Sequence, residues 1–245
     1  MEKYDVTQPI KFTYGMYQVN PEPNFNYQLN RVVHWNGGTV EDVREVGSKI
    51  NSSEDWKREL IALGDKAMGA GRTAPAIAYY RMSEFFMVDG DPDKKKYYNL
   101  ATDLFYQYYA DYFEGANARI RRLEVPYEEI RLPVWHLRPT GEPKDTILLH
   151  GGNDSYMEEF LFSVLYLQEC GYEVYLFEGP GQGGVVRNQG KHFTYEWERP
   201  VKAVLDGLDL SDVTIIGISL GGYLAPRAAA FDSRITKVVC WSVFP

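Results

Sequence analysis

Apolar residues recur at helical spacing through the first half of the chain. Residues 1–35 carry scattered aromatic residues among Pro and Asn signals, so we expect mostly extended or irregular structure there, with one short helix before Gly37 and Gly38. Apolar positions three and four residues apart then predict three or four helices. These helices are expected at about residues 40–50, 52–69, 74–88 and 91–112.

Helix-start signals support three of these helices. Thr39-x-x-Asp42 and Ser52-x-x-Asp55 each place a capping hydroxyl ahead of an acidic first turn. Asp91 supplies an N-cap for the last helix, and Pro92 occupies its first position. The last helix is the clearest, because its apolar face continues for about four turns.

After Gly115 the pattern changes to short apolar runs of strand type, the first two broken by Pro126 and Pro133. Strand-like runs that alternate with helical segments predict a doubly wound, mostly parallel sheet with right-handed crossovers, which is an α/β fold. We therefore expect an all-helical domain over residues 1–115 and an α/β domain over residues 116–245. The strands are expected at about residues 120–125, 132–137, 146–150, 172–177, 213–218 and 235–243, and the helices at about residues 156–168, 195–208 and 220–231.

The strand at residues 213–218 ends in Gly217-Ile218-Ser219-Leu220-Gly221, which is the G-x-S-x-G pattern of a nucleophile elbow. A side chain at either glycine would collide with the neighbouring backbone in so tight a turn. The pattern predicts that Ser219 is a nucleophile and that the Leu220 N–H stabilises an oxyanion. A serine that only packs in the turn is the alternative.

A second oxyanion donor is expected in the loop His150-Gly151-Gly152-Asn153-Asp154, because sites in parallel sheets lie beyond the carboxyl ends of the strands. Gly152 is the first choice for this donor and Asn153 the second, and a plain tight turn is the alternative. Glu178 ends the next strand, where it either faces the site or hydrogen-bonds the loop that follows. That loop lacks the lysine of a phosphate-binding loop and the spacing of a dinucleotide loop, so we interpret residues 179–184 as a close-approach loop.

The general base is harder to assign. All four histidines precede Ser219, whereas the order in this kind of sheet is Ser, then Asp or Glu, then His. His150 is expected to brace its loop, and His192 is the one local substitute for a base. His34 and His136 lie outside any site motif.

Composition narrows the classes of partner. The formal net charge of −8 argues against nucleic acid, and the absence of a signal sequence or a long apolar segment predicts a cytoplasmic protein with no membrane partner. Two distant cysteines support neither a disulfide framework nor a zinc site, and we expect no metal and no cofactor. The 19 Tyr, 12 Phe and 5 Trp residues indicate a large core or a ring-lined pocket.

The elbow and the two glycine loops resemble those of α/β-hydrolases with an N-terminal helical cap, the group of the fermentation–respiration switch protein, dihydroxypseudooxynicotine hydrolase and Yg1-type hydrolases. The resemblance covers most of the chain from about residue 40 onward. The segments that carry it are Ala78-Tyr79-Tyr80-Arg81, Glu84-Phe85-Phe86, Asp91-Pro92, Val125-Pro126-Tyr127, Leu132-Pro133, His150 to Ser155, Glu158-Glu159, Glu178 to Gly183 and Gly217 to Ala229.

The resemblance implies a serine hydrolase that cleaves an ester, or a carbon–carbon bond next to a carbonyl, in a small-molecule substrate. It also implies that the helical domain covers the site, where Tyr79, Tyr80, Phe85 and Phe86 could line a pocket together with Glu178. Core packing is the alternative for each of these aromatic residues. A serine peptidase and a non-catalytic binding protein on a hydrolase scaffold are the alternative functions, and a homodimer is left open.

The chain departs from the family pattern at its end. The acid and histidine of the family belong on strands that follow residues 235–243, and this sequence contains no such strands. We interpret the chain as truncated and expect little turnover from it. We also expect the sixth strand to leave one flank exposed.

Overall fold

The computed structural model describes residues 2–242, apart from the side chains of Trp35 and Asn36. The chain divides into two compact units, a helical unit, Met1–Glu114, and a sheet unit, Gly115–Pro245. In the described residues, no helix is both long and apolar enough to cross a membrane.

Five α-helices form the helical unit within the described residues. They are α1 (Pro23–Asn36), α2 (Val40–Gly47), α3 (Ser53–Gly69), α4 (Thr73–Ser83) and α5 (Pro92–Tyr108), and a short 3-10 helix follows at Ala110–Tyr112. The three start signals are confirmed. The side chains of Thr39, Ser52 and Asp91 accept hydrogen bonds from backbone N–H groups in the first turns of α2, α3 and α5.

Two helices differ from the prediction in length. Helix α1 spans 14 residues instead of a short turn, because the Glu22 carboxylate caps it and a proline begins it. Helix α4 ends at Ser83, earlier than the expected residue 88. The Lys94 ammonium binds the carbonyl oxygens of Glu84 at 3.3 Å and Met87 at 2.6 Å, which satisfies backbone groups that a longer helix would have used.

Six strands form one mixed sheet in the order β1-β2-β4-β3-β5-β6. Strands β1, β2 and β4 pair antiparallel, and β4, β3, β5 and β6 run parallel. The strands are β1 (Arg121–Tyr127), β2 (Ile130–Leu137), β3 (Thr146–His150), β4 (Glu173–Phe177), β5 (Val213–Ile218) and β6 (Ile235–Trp241), and the helices are α6 (Leu161–Glu169), α7 (Gly183–Gln189), α8 (Glu198–Gly207) and α9 (Gly221–Phe231). A 3-10 turn at Met157–Phe160 leads into α6.

Neither proline ends its strand. Pro126 lies on β1, which pairs only with β2 in the described part of the chain. Pro133 lies on β2 just beyond the last residue paired with β4, Val134, so its missing N–H costs no ladder hydrogen bond to β4. Both strands are therefore longer than their apolar runs predicted.

The register brings the three glycine-rich strand ends together. His150, at the end of β3, lies opposite Phe177 of β4 on one side and Gly217 of β5 on the other. The loops that follow these three strands therefore meet at the carboxyl edge of the sheet, as predicted. Helix α7 in the second of these loops was not predicted, because its sequence has only two apolar side chains, Val185 and Val186.

Strand β6 lies at the edge of the sheet. In residues 2–242 it pairs only with β5. Val238, Val239 and Trp241 are 38%, 45% and 52% exposed, so the expected exposed flank is confirmed. Val243, the last residue of the predicted strand, lies outside the described residues.

Candidate active site

The turn between β5 and α9 has the backbone of a nucleophile elbow. Ser219 adopts a φ of +59°, a left-handed conformation that is uncommon for a residue with a side chain. A Cβ on Gly217 would overlap the carbonyl group of Gly221, so the strand and the helix approach too closely for any larger residue. The Ser219 side chain is exposed, and its Oγ makes no hydrogen bond to residues 2–242.

A backbone donor lies next to this serine. Leu220 precedes the first turn of α9, and its N–H meets no acceptor within residues 2–242. A Cβ on Gly152 would come within 2.5 Å of the Leu220 nitrogen, so the loop after β3 contacts the elbow directly. This contact joins the two segments that were predicted to form an oxyanion site.

The two candidate amides of the loop after β3 differ. The Gly152 N–H donates to Ser155 Oγ at 3.0 Å and is thereby satisfied. The Asn153 N–H has no acceptor among the described residues, and Asn153 is exposed. Of the two, Asn153 therefore offers the free donor, although Gly152 was the first choice on sequence.

His150 braces the loop, as predicted. The ring is fully buried, with Nδ1 lying 2.8 Å from the Gly151 carbonyl oxygen. Nε2 accepts a hydrogen bond of 3.2 Å from Trp197 Nε1, which assigns the proton to Nδ1. Burial lowers the pKa of His150 to about 4, although the hydrogen bond to Gly151 opposes this shift. A neutral ring with both nitrogens occupied cannot serve as the base.

The other histidines do not hydrogen-bond Ser219 either. His136 Nε2 lies 2.7 Å from Glu173 Oε1, at the amino end of β4 and thus at the opposite edge of the sheet. His192 is exposed in the segment after α7. His34 belongs to the helical unit.

Glu178 is buried, and both of its carboxylate oxygens accept backbone N–H groups. Met157 donates to Oε1 and Gly184 to Oε2, each at 2.9 Å. The carboxylate therefore braces two loops, which fits the loop-bonding alternative better than the pocket role.

Gln182 was missed by the sequence analysis. Its side chain is 1% exposed and hydrogen-bonds the loop after β3. The only signal for it was its position among glycines after a strand.

The aromatic residues predicted to line a pocket lie in the helical unit. The hydroxyls of Tyr79 and Tyr80 donate to Asp42 at 2.6 Å and to Asp65 at 2.7 Å. Both rings are buried, so the core-packing alternative fits them. Phe86 packs edge-on against Trp56 and Phe85, and it also lines an open groove of about 510 Å³.

Comparison with known proteins identifies the fold family. A profile of the "Alpha/beta hydrolase family" matches residues 146–244, the segment that contains the elbow. The chain is 31% identical to the hydrolyase poxO of Penicillium oxalicum over 259 residues, which are 90% of this chain and 60% of that protein. The chain has the α/β-hydrolase fold.

Two further similarities extend beyond the sheet unit. The 20-hydroxy-prefusarin hydrolase FUS2 of Gibberella moniliformis is 29% identical over 91% of this chain and 61% of its own length. The crystal structure of the 2,6-dihydroxy-pseudo-oxynicotine hydrolase has the same fold, with a TM-score of 0.62 and 22% identity over 84% of this chain and 62% of that one. The chain thus spans about 60% of the length of the first curated relative it matches.

Proposed function

We propose that the protein is a serine hydrolase in which Ser219 is the nucleophile. One observation carries the proposal: the left-handed φ of +59° at Ser219, which projects the hydroxyl from a strand-to-helix turn beside an unbound N–H, that of Leu220. Backbone strain of this kind persists where the surrounding structure requires it. The α/β-hydrolase fold of the chain and its similarity to proteins named hydrolases support the same assignment.

The proposed oxyanion hole consists of the N–H groups of Leu220 and Asn153. Both lack an acceptor within residues 2–242, and the Gly152–Leu220 contact holds their segments together. Gly152 contributes close approach to the elbow, since its own N–H is bound to Ser155. Donors fixed before the reaction stabilise developing charge without reorganising, which is worth about 3 kcal/mol for one donor.

In the proposed reaction, Ser219 Oγ forms a bond to the carbonyl carbon of the substrate, and the hydroxyl proton passes to a general base. Collapse of the tetrahedral intermediate releases an alcohol from an ester, or a carbanion stabilised by a neighbouring carbonyl from a carbon–carbon bond. Water then hydrolyses the acyl-serine. The resemblance assigns the base and its acid to strands after residues 235–243. Within residues 2–242, no histidine hydrogen-bonds Ser219 as a general base would.

The proposed substrate is a small molecule with an ester, or with a carbon–carbon bond next to a carbonyl. Two similar proteins carry names of small-molecule hydrolases, for 20-hydroxy-prefusarin and for 2,6-dihydroxy-pseudo-oxynicotine. Measuring the full-length protein against p-nitrophenyl esters, aminoacyl anilides and 1,3-diketones separates these classes. Turnover of the anilides alone would favour the peptidase alternative.

The nucleophile is tested by labelling the full-length protein with a fluorophosphonate probe. The label requires an activated serine, because Oγ must displace fluoride from phosphorus. We expect wild-type protein to be labelled and Ser219→Ala to lose the label. Ser211→Ala, which changes an exposed serine of the same unit, is the matched control and should label normally.

Two outcomes would overturn the proposal. Undiminished labelling of Ser219→Ala would show that another group reacts with the probe. Ligand binding that survives Ser219→Ala, in a full-length protein that turns over none of the substrates, would favour the non-catalytic binding protein.

A further inference from the structure

We propose that Gln182 is a positioning residue that fixes the direction of the amide groups in the oxyanion loop, Gly151–Gly152–Asn153. This inference rests on the proposed serine hydrolase function and adds a residue to it. Gln182 precedes α7, lies in a different loop from the nucleophile and from the proposed donors, and is 1% exposed.

The side-chain amide of Gln182 bridges two loops. Its Oε1 accepts a hydrogen bond from the Gly179 N–H at 2.8 Å. Its Nε2 donates to the Gly151 oxygen at 2.8 Å and to the Gly152 oxygen at 3.1 Å. The partners define the orientation of the amide, because Gly179 offers only a donor and the two carbonyls only acceptors. Every polar atom of this buried group is therefore engaged.

Holding these two carbonyls orients the amides that follow them. A trans peptide group is planar, so its N–H points opposite to its C=O. The Gly151 oxygen belongs to the same peptide group as the Gly152 N–H, and the Gly152 oxygen to the same group as the Asn153 N–H. Gln182 thus sets the direction of both candidate donors through one amide nitrogen.

The two peptide groups are not equally dependent on Gln182. The Gly151 oxygen also lies 2.8 Å from His150 Nδ1, and the Gly152 N–H is held by Ser155 Oγ. The Gly152 oxygen has Gln182 as its one hydrogen-bond donor in residues 2–242. Removing the glutamine amide therefore releases above all the peptide group that carries the Asn153 N–H, the free donor of the site.

Such a role is expected to affect the transition state more than substrate binding. The oxyanion forms only during the reaction, so a misdirected donor lowers kcat and leaves KM almost unchanged. A displacement of about 1 Å in a catalytic geometry costs about 10²-fold in rate. A residue that only stabilises the fold would instead change the amount of folded enzyme and leave its kinetics intact.

The experiment compares Gln182→Met with Gln189→Met in the full-length protein, with p-nitrophenyl acetate as substrate. Gln189 is a matched control, because its exposed side chain also binds backbone groups, accepting from the Arg131 N–H at 2.8 Å and donating to the Arg131 oxygen at 2.7 Å. We expect Gln182→Met to lower kcat about 10²-fold with KM within about twofold of wild type. Gln189→Met should keep wild-type values of both constants.

A second variant keeps the inference testable if Gln182→Met does not fold. Gln182→Glu preserves the shape of the side chain and the acceptor for Gly179, and it removes the amide donor. The same loss of kcat is expected from it. A folded variant at position 182 with kcat within about threefold of Gln189→Met would overturn the inference, since one misdirected donor costs far more than that.

Failure of the proposed function gives a different result. In that case wild type and Gln189→Met would themselves show no turnover and no fluorophosphonate label, and the role of Gln182 would fall with the nucleophile. Active, labelled wild type beside a fully active Gln182 variant would overturn only the inference about Gln182.

Discussion

At the scale of single residues, the unusual feature of the sheet unit is a buried imidazole that stays neutral. His150 donates a hydrogen bond from Nδ1–H to the Gly151 carbonyl oxygen and accepts one from Trp197 Nε1–H on Nε2. Protonation of Nε2 would place two donors against each other in a site that water does not reach. Burial, which removes the ring from water, lowers the pKa of His150 to about 4.

This histidine makes the stability of the protein depend on pH. An unfolded chain binds a proton at His150 below pH about 6.5, whereas the folded protein does so only near pH 4. Its contribution to the free energy of unfolding is therefore complete above pH 6.5 and is lost progressively as the pH falls to about 4, to a total of about 3 kcal/mol. Denaturant unfolding at several pH values between 4 and 7.5 measures it.

Substitution of His150 separates its contribution to the free energy of unfolding from that of the Asp and Glu carboxylates. The glutamine of His150→Gln can still donate and accept hydrogen bonds, but it does not titrate. When the pH falls from 7 to 5, both proteins lose stability, and we expect wild type to lose about 2 kcal/mol more of its free energy of unfolding than the variant does. His192→Gln, which changes an exposed histidine, should follow wild type. Parallel curves for wild type and His150→Gln would contradict this explanation.

The position of a single residue in the site was predictable from the sequence only when its surroundings come from residues next to it in the sequence. The tight turn at Ser219 was predictable because the elbow pattern is defined within five consecutive residues. Gln182 was not, because its partners at Gly151 and Gly152 lie 31 and 30 residues away and are brought to it only by the register of β3 and β4. The preference for Asn153 over Gly152 as the free donor likewise required knowledge of the Ser155 hydroxyl, which binds the Gly152 N–H.

At the scale of elements, the elbow depends on the close approach of β5 and α9. Gly217 is the last residue of β5 that pairs with β3, opposite His150, and the carbonyl group of Gly221 occupies the space where its Cβ would lie. Backbone atoms cannot rotate out of the way as a side chain can. A single methyl group added at Gly217 would therefore force the strand and the helix apart.

We expect Gly217→Ala to lower the free energy of unfolding by at least about 3 kcal/mol, the upper end of the usual cost of overpacking. Gly69→Ala is the matched control, because a Cβ at this last residue of α3 meets nothing within 4 Å. It should stay within about 1 kcal/mol of wild type. Thermal or denaturant unfolding measures both, and equal stability of the two variants would contradict the close contact.

The accuracy of the predicted elements followed from the strength of local signals. Helices α2, α3 and α5 begin where their caps were found, since a cap is a contact between residues two or three positions apart. The early end of α4 was not predictable, because Lys94 reaches from α5 to the carbonyl oxygens of Glu84 and Met87, just after α4 ends. The prolines in β1 and β2 were taken as breaks, since only the register shows which of their neighbours need a donor.

At the scale of the whole molecule, the edge of the sheet next to the elbow is open within residues 2–242. Strand β6 presents Val238, Val239 and Trp241 to solvent, together with the backbone groups on its unpaired side. Exposed apolar edge strands are templates for pairing with another chain. The 245-residue chain should therefore self-associate through β6 as its concentration rises.

Substituting one edge residue by lysine tests this association. We expect Val239→Lys to weaken self-association about tenfold, which corresponds to about 1.4 kcal/mol, because it brings like charges together across a paired edge. Val88→Lys changes a valine that is 73% exposed in the helical unit and should leave association unchanged. Sedimentation velocity over a range of concentrations compares them, and identical behaviour of the two variants would rule out β6 as the contact.

The sequence was sufficient to predict the fold class, but not the order and direction in which the strands pair. Alternating strand and helix signals indicated a mostly parallel sheet, and β3 to β6 follow that rule. The antiparallel positions of β1 and β2 were not indicated, because a strand of alternating side chains has the same pattern in either direction. The pairing of β2 with β4, instead of with β3, likewise appears only in the folded chain.

The strand order also has a consequence for synthesis on the ribosome. Strands β1 and β2 can pair as soon as both have emerged, but β3 has no earlier neighbour and waits for β4 to fill the gap between it and β2. Strand β5 then adds to β3, and β6 to β5. A translation pause before residue 213 would leave a nascent chain with the β3 edge unpaired, an aggregation-prone strand edge at the place that β5 later occupies.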